Sequence, residues 1–529
     1  MRERMRDPEY VHGRRWYALI VLCLTLAVLG IDNSVLNVTL PTLSRPQSVG
    51  GLGATASELQ WIVDGYILVF AGLLLTAGSL GDRFGRLRFL NVGLVLFGAG
   101  SLYACEASSP SGLITGRVVM GLGAACIMPA TLSLITNIFI EPRERAKAIG
   151  IWAGVASIGV GIGPVLGGVL IGHFWWGSVF LVNVPIVLAA LALGWFLLPE
   201  SFDSSVPRLD PIGSLLSIAG LVSLLWGIIE APSHGWTSSE VVAAFALALL
   251  VLGSFAAWEL RCDNPMLDLH FFQNRRFSAA SAAITVTSMA LYGVVFLFTQ
   301  YLQLVLGYSA VEAGSAGIPL AALMVLASLT SPKLVHRFGS KHVIAFGMSS
   351  GATAFLLMSM LQADTPIWLV ILVTMPLGIG MGNVLSPATD SIMGALPREK
   401  AGVGSAMNDA TRQVGGALGV AVLGSILSSR FASELGDSLG GVLPPGRLAQ
   451  AKDSMGEALA IAREAPSGAA RIVDAAQQSF LSGMQAAMLV GFVMMVLGII
   501  ATLRWLPAHA AEPEVAPART PLPAGADGQ

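Results

Sequence analysis

About fourteen apolar runs, each long enough to cross a lipid bilayer, recur along this chain, and no other feature restricts its fold so tightly. A membrane span needs about 20 mostly apolar residues. The first runs extend from Trp16 to Val38, Glu58 to Gly81, Leu87 to Cys105, Gly112 to Thr136, Ala146 to His173 and Val179 to Leu198. Two more follow, Ile212 to Ile229 and Glu240 to Trp258. The last six are Phe277 to Leu306, Ala310 to Leu334, Val343 to Met360, Thr365 to Met393, Ala401 to Ser429 and Phe480 to Arg504. Charged residues make up only 12% of the chain, about half the share of a soluble protein. The expected fold is an all-α polytopic membrane protein.

The basic start and apolar run resemble a signal peptide, but the run is too long and no small-residue cleavage site follows, so a retained first helix is expected. A net charge of −2 gives no electrostatic reason to expect a nucleic-acid partner. Cys23, Cys105, Cys126 and Cys262 form no CxxC pair, and three lie in apolar runs, so neither a disulfide framework nor a metal site is expected. No phosphate-binding GxxxxGK[ST] loop and no HExxH is present, which disfavours an enzyme.

Lysine and arginine placement orients the spans. With the N-terminus in the cytoplasm, cytoplasmic segments hold 22 of the 30 basic residues. An even number of spans leaves both termini inside. The segment LGDRFGR at Leu80 to Arg86 reappears as LVHRFGS at Leu334 to Ser340, each after the second helix of a six-helix set. Such repeated halves are common in secondary transporters. The expected organisation is a cytoplasmic segment 1–15, a six-helix bundle 16–200, two extra helices and a cytoplasmic loop 201–276, and a second bundle 277–506. That second bundle carries an external loop 431–479, and a disordered cytoplasmic tail covers 507–529.

Three motifs carry chemistry. In GSLGDRFGRLR, Gly78, Gly81 and Gly85 permit a tight turn and close helix approach. Asp82 is placed to accept from a helix N-terminus or an arginine across the two halves, and with Arg83 and Arg86 it reads as a gating turn; a charged turn obeying the orientation rule is the plainer alternative. In GVGIGPVLGGVLIG, Gly159, Gly163 and Gly167 share one helix face and permit backbone-to-backbone packing, and Pro164 favours a kink; Gly168 completes the motif. Ordinary helix packing explains the glycines equally well. In GRVVMGLGAACIMP, Arg117 is a costly intramembrane cation that needs a partner, unless it snorkels to the interface.

Asp32 lies about 16 residues into the first helix, roughly 24 Å along it. Asp64, about six residues in from the outside, and Arg117 converge on the same level, whereas snorkelling charges would scatter. Asp32 and Asp64 are therefore candidates for proton coupling or for recognising a cationic substrate, with Arg117 as ion-pair partner; a permanent structural pair is the alternative for Asp32. Asp409 and Arg412, at i and i+3, share a helix face and are placed to pair; Asp409 joins the proton-coupling candidates, with a merely helix-stabilising pair as the equal alternative. Asp390 reads as solvated near the cytoplasmic end, and Glu230 as interfacial. Trp61, Tyr66, Phe70 and Met128 are candidates for a drug-accommodating cavity, although core packing is the default for such residues.

Asp32 with NVTLP, the GSLGDRFGR turn, Arg117 with its glycines and IGPVLGG together resemble the major facilitator superfamily, and the fourteen-helix layout resembles its second drug:H⁺ antiporter family. QWIVDGYILVFAG looks closest to the quaternary-ammonium-compound exporters. The resemblance runs from Trp16 to about Leu506. It implies a major facilitator fold of two six-helix bundles plus two central extra helices, fourteen transmembrane helices in all, around a cavity with alternating access. It also implies an antiporter role for GPVLGG and no cofactor beyond the proton-motive force. The chain departs from the pattern in helix ten, which has no acid beyond Glu312, at Asn408 and Asp409, and at Met120, a position often filled by Gln.

The leading function is proton-coupled export of amphipathic, often cationic drugs across the bacterial cytoplasmic membrane. Partners are drug-like small molecules, protons and the lipid bilayer. Oligomeric state stays open, a monomer being the simplest expectation. A dedicated exporter of one metabolite, antibiotic or lipid keeps the same fold; a membrane sensor or scaffold that transports nothing leaves the paired intramembrane charges unexplained.

Overall fold

The computed structural model describes residues 8–507 except 44–46, 48–49, 55, 202–209, 263–264, 266, 398–399 and 465–467. The expected tail after Pro507 and several orienting arginines, among them Arg208 and Arg398, lie outside the described residues. Among the described residues every regular element is helical, as hydrocarbon surroundings require when no sheet closes on itself.

The first half contains α1 (Pro8–Leu43), α2 (Ala56–Phe84), α3 (Arg86–Cys105), α4 (Pro110–Ile138), α5 (Pro142–His173), α6 (Ser178–Leu181) and α7 (Asn183–Leu197). Next come α8 (Pro211–His234) and α9 (Ser239–Glu259). The second half contains α10 (Arg275–Gln300), α11 (Ala310–Ala316), α12 (Ile318–Phe338), α13 (Ser340–Met358), α14 (Ile367–Gly394), α15 (Ala401–Leu439), α16 (Pro445–Asp453), α17 (Met455–Glu464) and α18 (Ala469–Trp505). Among the described residues, twelve helices are long and apolar enough to cross a membrane; α6 with α7 makes one of them, and α10 with the π turn Tyr301–Val305 another. The expected spans in α5 and α13 are helical and pack into the same bundles.

The two halves repeat one packing scheme. In the first, α1 packs on α5, α2 on α4, and α3 on α4 and α7. In the second, α10 packs on α15, α12 on α14, and α13 on α14 and α18. The halves meet reciprocally, α2 against α15 and α5 against α12. Each half has its own apolar core. The extra helix α8 packs against both α2 and α15, over the line where the halves meet, with α9 outside it.

Glycines set the closest approaches, and they recur in equivalent places. A Cβ on Gly93 of α3 would stand 2.8 Å from the Gly123 carbonyl oxygen of α4, and one on Gly347 of α13 would stand 2.7 Å from that of Gly380 on α14. Without a side chain at these points, backbones touch and dispersion contacts replace the hydrophobic drive that lipid cannot supply.

The segment 431–479 corrects the sequence reading, which took it for a loop. α15 runs on to Leu439, α16 and α17 follow, and α18 begins at Ala469. Leu427, Phe431, Leu435 and Leu439 continue a buried stripe at four-residue spacing, so this part of α15 keeps an apolar face although its average composition is polar. Met455, Ala458 and Ile461 bury the hairpin against the second half's core.

Gly123→Val is expected to lower the melting temperature in detergent, because overpacking costs about 1–3 kcal/mol where an added Cβ would stand 2.6 Å from the Phe97 nitrogen. An unchanged thermal unfolding curve would contradict this packing.

Candidate functional site

Asp32, in the lipid-depth part of α1, is held from two sides. Arg117 Nη1 on α4 lies 2.5 Å from Asp32 Oδ2, and Asn183 Nδ2 on α7 donates to Oδ1 at 2.9 Å. Each side chain of the ion pair is 1% exposed. Arg117 Nε also donates to the Ile62 carbonyl of α2 at 3.1 Å, and its guanidinium lies 4.2 Å from the Tyr66 ring centroid. Asn183 Nδ2 reaches Ser101 Oγ on α3 at 3.2 Å. One buried cation thus ties together α1, α2 and α4, and its counter-charge brings in α7. A desolvated pair persists only where hydrogen bonds satisfy the remaining groups, as here. Snorkelling of Arg117 to an interface does not occur.

The glycine motif of α5 packs on the other face of the same stretch of α1. A Cβ on Gly159 would stand 2.9 Å from the Gly30 Cα, and one on Gly163 would overlap Ser34 Oγ. Ser34 Oγ donates to the Gly159 carbonyl at 2.9 Å. Gly167 faces Val35, and Gly168 is half-buried. Pro164 lies within α5, and its side chain is outside the described residues. The earlier part of the same helix crosses to the second half, where a Cβ on Gly150 would stand 2.8 Å from the Ser328 carbonyl oxygen of α12.

The turn after α2 joins the halves at their basic end. Asp82 accepts from the backbone N–H groups of Gly402 (2.9 and 3.0 Å) and Val403 (3.3 Å), the first residues of α15. A carboxylate there satisfies N–H groups with no intrahelical partner and meets the positive end of the helix dipole. Arg86 Nε and Nη2 each lie 2.8 Å from Asp82 Oδ1. Gly78 faces Gly402, and a Cβ on either would stand 2.6 Å from the other's carbonyl oxygen. Gly81 is buried against Phe89, and Arg83 lies over the Phe84 ring. Gly85 has φ +111° and leaves room for Glu200, which accepts from the Leu87 N–H at the start of α3. Burial pushes the Glu200 carboxyl above its ordinary range, against the pull of that N–H and of the Ser201 N–H.

Two further contacts bridge the halves at this end. Arg145 of α5 pairs with Asp390 of α14 at 3.1 Å, and Arg143 meets His336 of α12 at 2.9 Å. Asp390, expected to be merely solvated, is thus a half-buried ion-pair partner, drawn in because α5 starts beside the end of α14. His336 occupies the place in the repeat that Asp82 holds in the first half.

A second polar group lies where α4, α5, α14 and α15 converge. Arg412 Nη2 pairs with Asp409 Oδ1 at 2.8 Å, and Asn408 Nδ2 adds a bond to the same oxygen at 3.3 Å. Thr389 of α14 donates to Asn408, the Arg412 guanidinium lies 5.8 Å from the Trp152 ring centroid of α5, and Trp152 Nε1 donates to Thr131 of α4. Among the described residues, Asp409 Oδ2 is buried without a hydrogen-bond partner.

Asp64 of α2 is half-buried and hydrogen-bonded by Gln60. It is not part of the Asp32–Arg117 pair. Of the proposed cavity residues, Trp61 is exposed, whereas Tyr66, Phe70 and Met128 are buried; Tyr66 serves as the face on which Arg117 rests. The sequence reading missed Asn183, Ser101, Trp152 and Thr389. The one available signal for Asn183 was an amide amid the apolar FLVNVPIV.

Two repeated helical bundles meeting through reciprocal helices, with charges buried between helices, define a polytopic membrane protein of the two-bundle transporter class. A family profile described as the Major Facilitator Superfamily matches residues 22–420, and the chain belongs to that superfamily. It is 35% identical to the multidrug efflux pump LfrA of Mycolicibacterium smegmatis, over 92% of this chain and 96% of that protein. The methyl viologen resistance protein SmvA of Salmonella typhimurium is 36% identical over 88% of this chain and 93% of its own length. The tetracenomycin C resistance and export protein of Streptomyces glaucescens is 31% identical over 98% and 96%. The crystal structure of the human organic anion transporter MFSD10 superposes with a TM-score of 0.60 at 12% identity, covering 93% of this chain and 99% of that one.

Asp32→Asn leaves the Arg117 charge buried without its counter-charge and is expected to destabilise the protein by about 3–5 kcal/mol. Asp32→Asn combined with Arg117→Gln should recover most of that loss. Thermal unfolding of the three proteins in detergent checks both statements; equal melting points for the wild type and Asp32→Asn would show that the pair holds nothing together.

Proposed function

We propose that this protein exports amphipathic, often cationic drugs or toxic compounds across the cytoplasmic membrane in exchange for protons, by alternating access. In this reading α5 and α13 join the twelve helices above to make fourteen spans, and the basic face with both termini lies in the cytoplasm. The reading rests chiefly on one observation, in a chain similar along nearly its whole length to proteins named for drug efflux and resistance. Asp409, a buried carboxylate with one unpartnered oxygen, stands where the two halves meet.

The mechanism follows from what each contact permits. With Asp82 on the α15 N-terminus and Arg145 on Asp390, the cytoplasmic side is held shut and the protein faces outward or is occluded. Asp409, with one unpartnered oxygen, and the half-buried Asp64 are placed to take a proton in this state. Asp32, with both oxygens engaged, takes one only when rocking of the halves loosens Arg117. Protonation neutralises the carboxylate that held a cationic substrate and so releases it outward. Breaking the contacts of Asp82 then opens the cytoplasmic side, where the proton leaves. Each charge moved across the membrane is worth about 2.3 kcal/mol per 100 mV, enough to drive an uphill exchange. No cofactor is required in this cycle, and a single chain contains every group it uses.

A narrower reading, export of one antibiotic or metabolite, is favoured by the similarity to the tetracenomycin C resistance and export protein. Broad resistance on expression supports the first reading, and protection against one compound supports the second.

In proteoliposomes carrying a pH-sensitive dye, ethidium and a panel of neutral and cationic drugs are expected to drive proton movement. Asp409→Asn should abolish that movement while the protein still folds. The stable double variant Asp32→Asn with Arg117→Gln should also fail to couple. Coupled export by both would sink the assignment. Asp82→Ala removes the carboxylate on the α15 N-terminus, a contact worth about 0.3–2 kcal/mol, and with it the counter-charge of the buried Arg86. It should shift distances between spin labels at Arg88 and Lys341 toward a population open on the basic face.

A further inference from the structure

α8 and α9 stand outside the repeated scheme, yet α8 brings a carboxylate close to the acid of α2. Glu230 lies on the last turns of α8, at the end of the bundle opposite the basic face. Gln60 Nε2 donates to Glu230 Oε1 at 3.4 Å, and the same side chain hydrogen-bonds Asp64 one turn further along α2. His234 Nδ1 lies 3.0 Å from Glu230 Oε2, and its Nε2 lies 4.0 Å from Glu240 Oε2 at the start of α9. Side-chain exposure falls stepwise along this path: 65% at Glu240, 49% at His234, 10% at Glu230. A residue expected to be interfacial is therefore nine-tenths buried, between a titratable imidazole in water and an acid at membrane depth.

We propose that Glu230 and His234 carry protons between the outer surface and Asp64, so that the extra helices supply a proton path to the first half. The proposal rests on the exporter reading above. A proton from water binds His234 at Nε2. The Nδ1–H bond then breaks as an O–H bond forms on Glu230 Oε2, leaving a neutral imidazole. Glu230 then passes that proton through a water molecule to the Asp64 carboxylate and returns to its ionised form, while the imidazole exchanges its Nε2 proton with water and regains Nδ1–H, so one proton moves inward and charge is conserved. Gln60 holds the two acids on one amide and is a positioning residue. The ionisable groups the structure brings to Glu230 are Asp64 on α2, His234 on α8 and, through His234, Glu240 on α9. On α15, which also packs against α8, the charges at this end are Arg430 and Glu434, which pair with each other at 3.2 Å, and Asp437.

The test uses the full chain in proteoliposomes with ethidium as probe and external pH varied. Glu230→Gln is expected to slow proton-coupled ethidium movement by at least about 10-fold, the low side of what a positioned proton carrier contributes. Ethidium–ethidium exchange, which needs no net proton transfer, should be retained. His234→Gln, at a half-exposed position that folding tolerates, should slow coupled movement near neutral pH and recover on external acidification. Glu230→Asp should restore part of the rate. Independently of any substrate, infrared difference spectra between two external pH values should contain a carboxyl band that is absent from Glu230→Gln. Unchanged coupled rates in both variants, or equal loss of exchange and coupled movement, would overturn the relay while leaving the exporter reading intact. No ethidium-driven or drug-driven proton movement in the unaltered protein would overturn both.

Discussion

A guanidinium with no access to water, in a helix packed inside the bundle, dictates much of the first half. Arg117 is tolerable only because Asp32, a backbone carbonyl of α2 and the face of Tyr66 take the place of its hydration shell. Those partners come from different helices, so α1, α2 and α4 hold a fixed mutual geometry wherever the pair is intact. Asn183 extends the constraint to α7 through the second oxygen of Asp32. The half can then move as one body, which is what alternating access between two bundles asks of it.

The contacts between the halves are of another kind. Asp82 meets backbone N–H groups at the end of α15, and Arg145 and Arg143 meet single side chains of the other half. Interactions of a charge with a helix terminus are worth only about 0.3–2 kcal/mol, far less than the cost of breaking a buried pair. Gly78 and Gly402 bring the backbones together so that these weak bonds form, without side chains that would interlock. Strong bonds within halves and weak ones between them give a hierarchy suited to a switching joint.

Much of this was legible in the sequence because lipid imposes a length rule on every span and charges in spans must find partners. Asp32, Arg117, Asp82, Asp409 and Arg412 all stood out as charges in glycine-rich or apolar stretches. The partners did not, since Asn183, Ser101 and Trp152 are ordinary residues whose role depends on tertiary proximity. Gly159, Gly163 and Gly167 of α5 were recognised by spacing, but spacing alone does not say which helix they meet; the structure gives α1. Segment 431–479 was misread because its mean composition is polar while its buried stripe is visible only at helical period. Met128 and Phe70 were cavity candidates on residue type alone, with core packing as the default, because residue type does not separate lining from packing.

The placement of α8 makes the molecule lopsided. The α2–α15 contact is shielded by protein along the side that α8 occupies, whereas α5 and α12 meet on the other side, where the extra pair does not reach. An oily molecule dissolved among the acyl chains therefore encounters two unlike flanks, one fenced and one bare. The added helices thus cover one seam between the halves and leave the other without them.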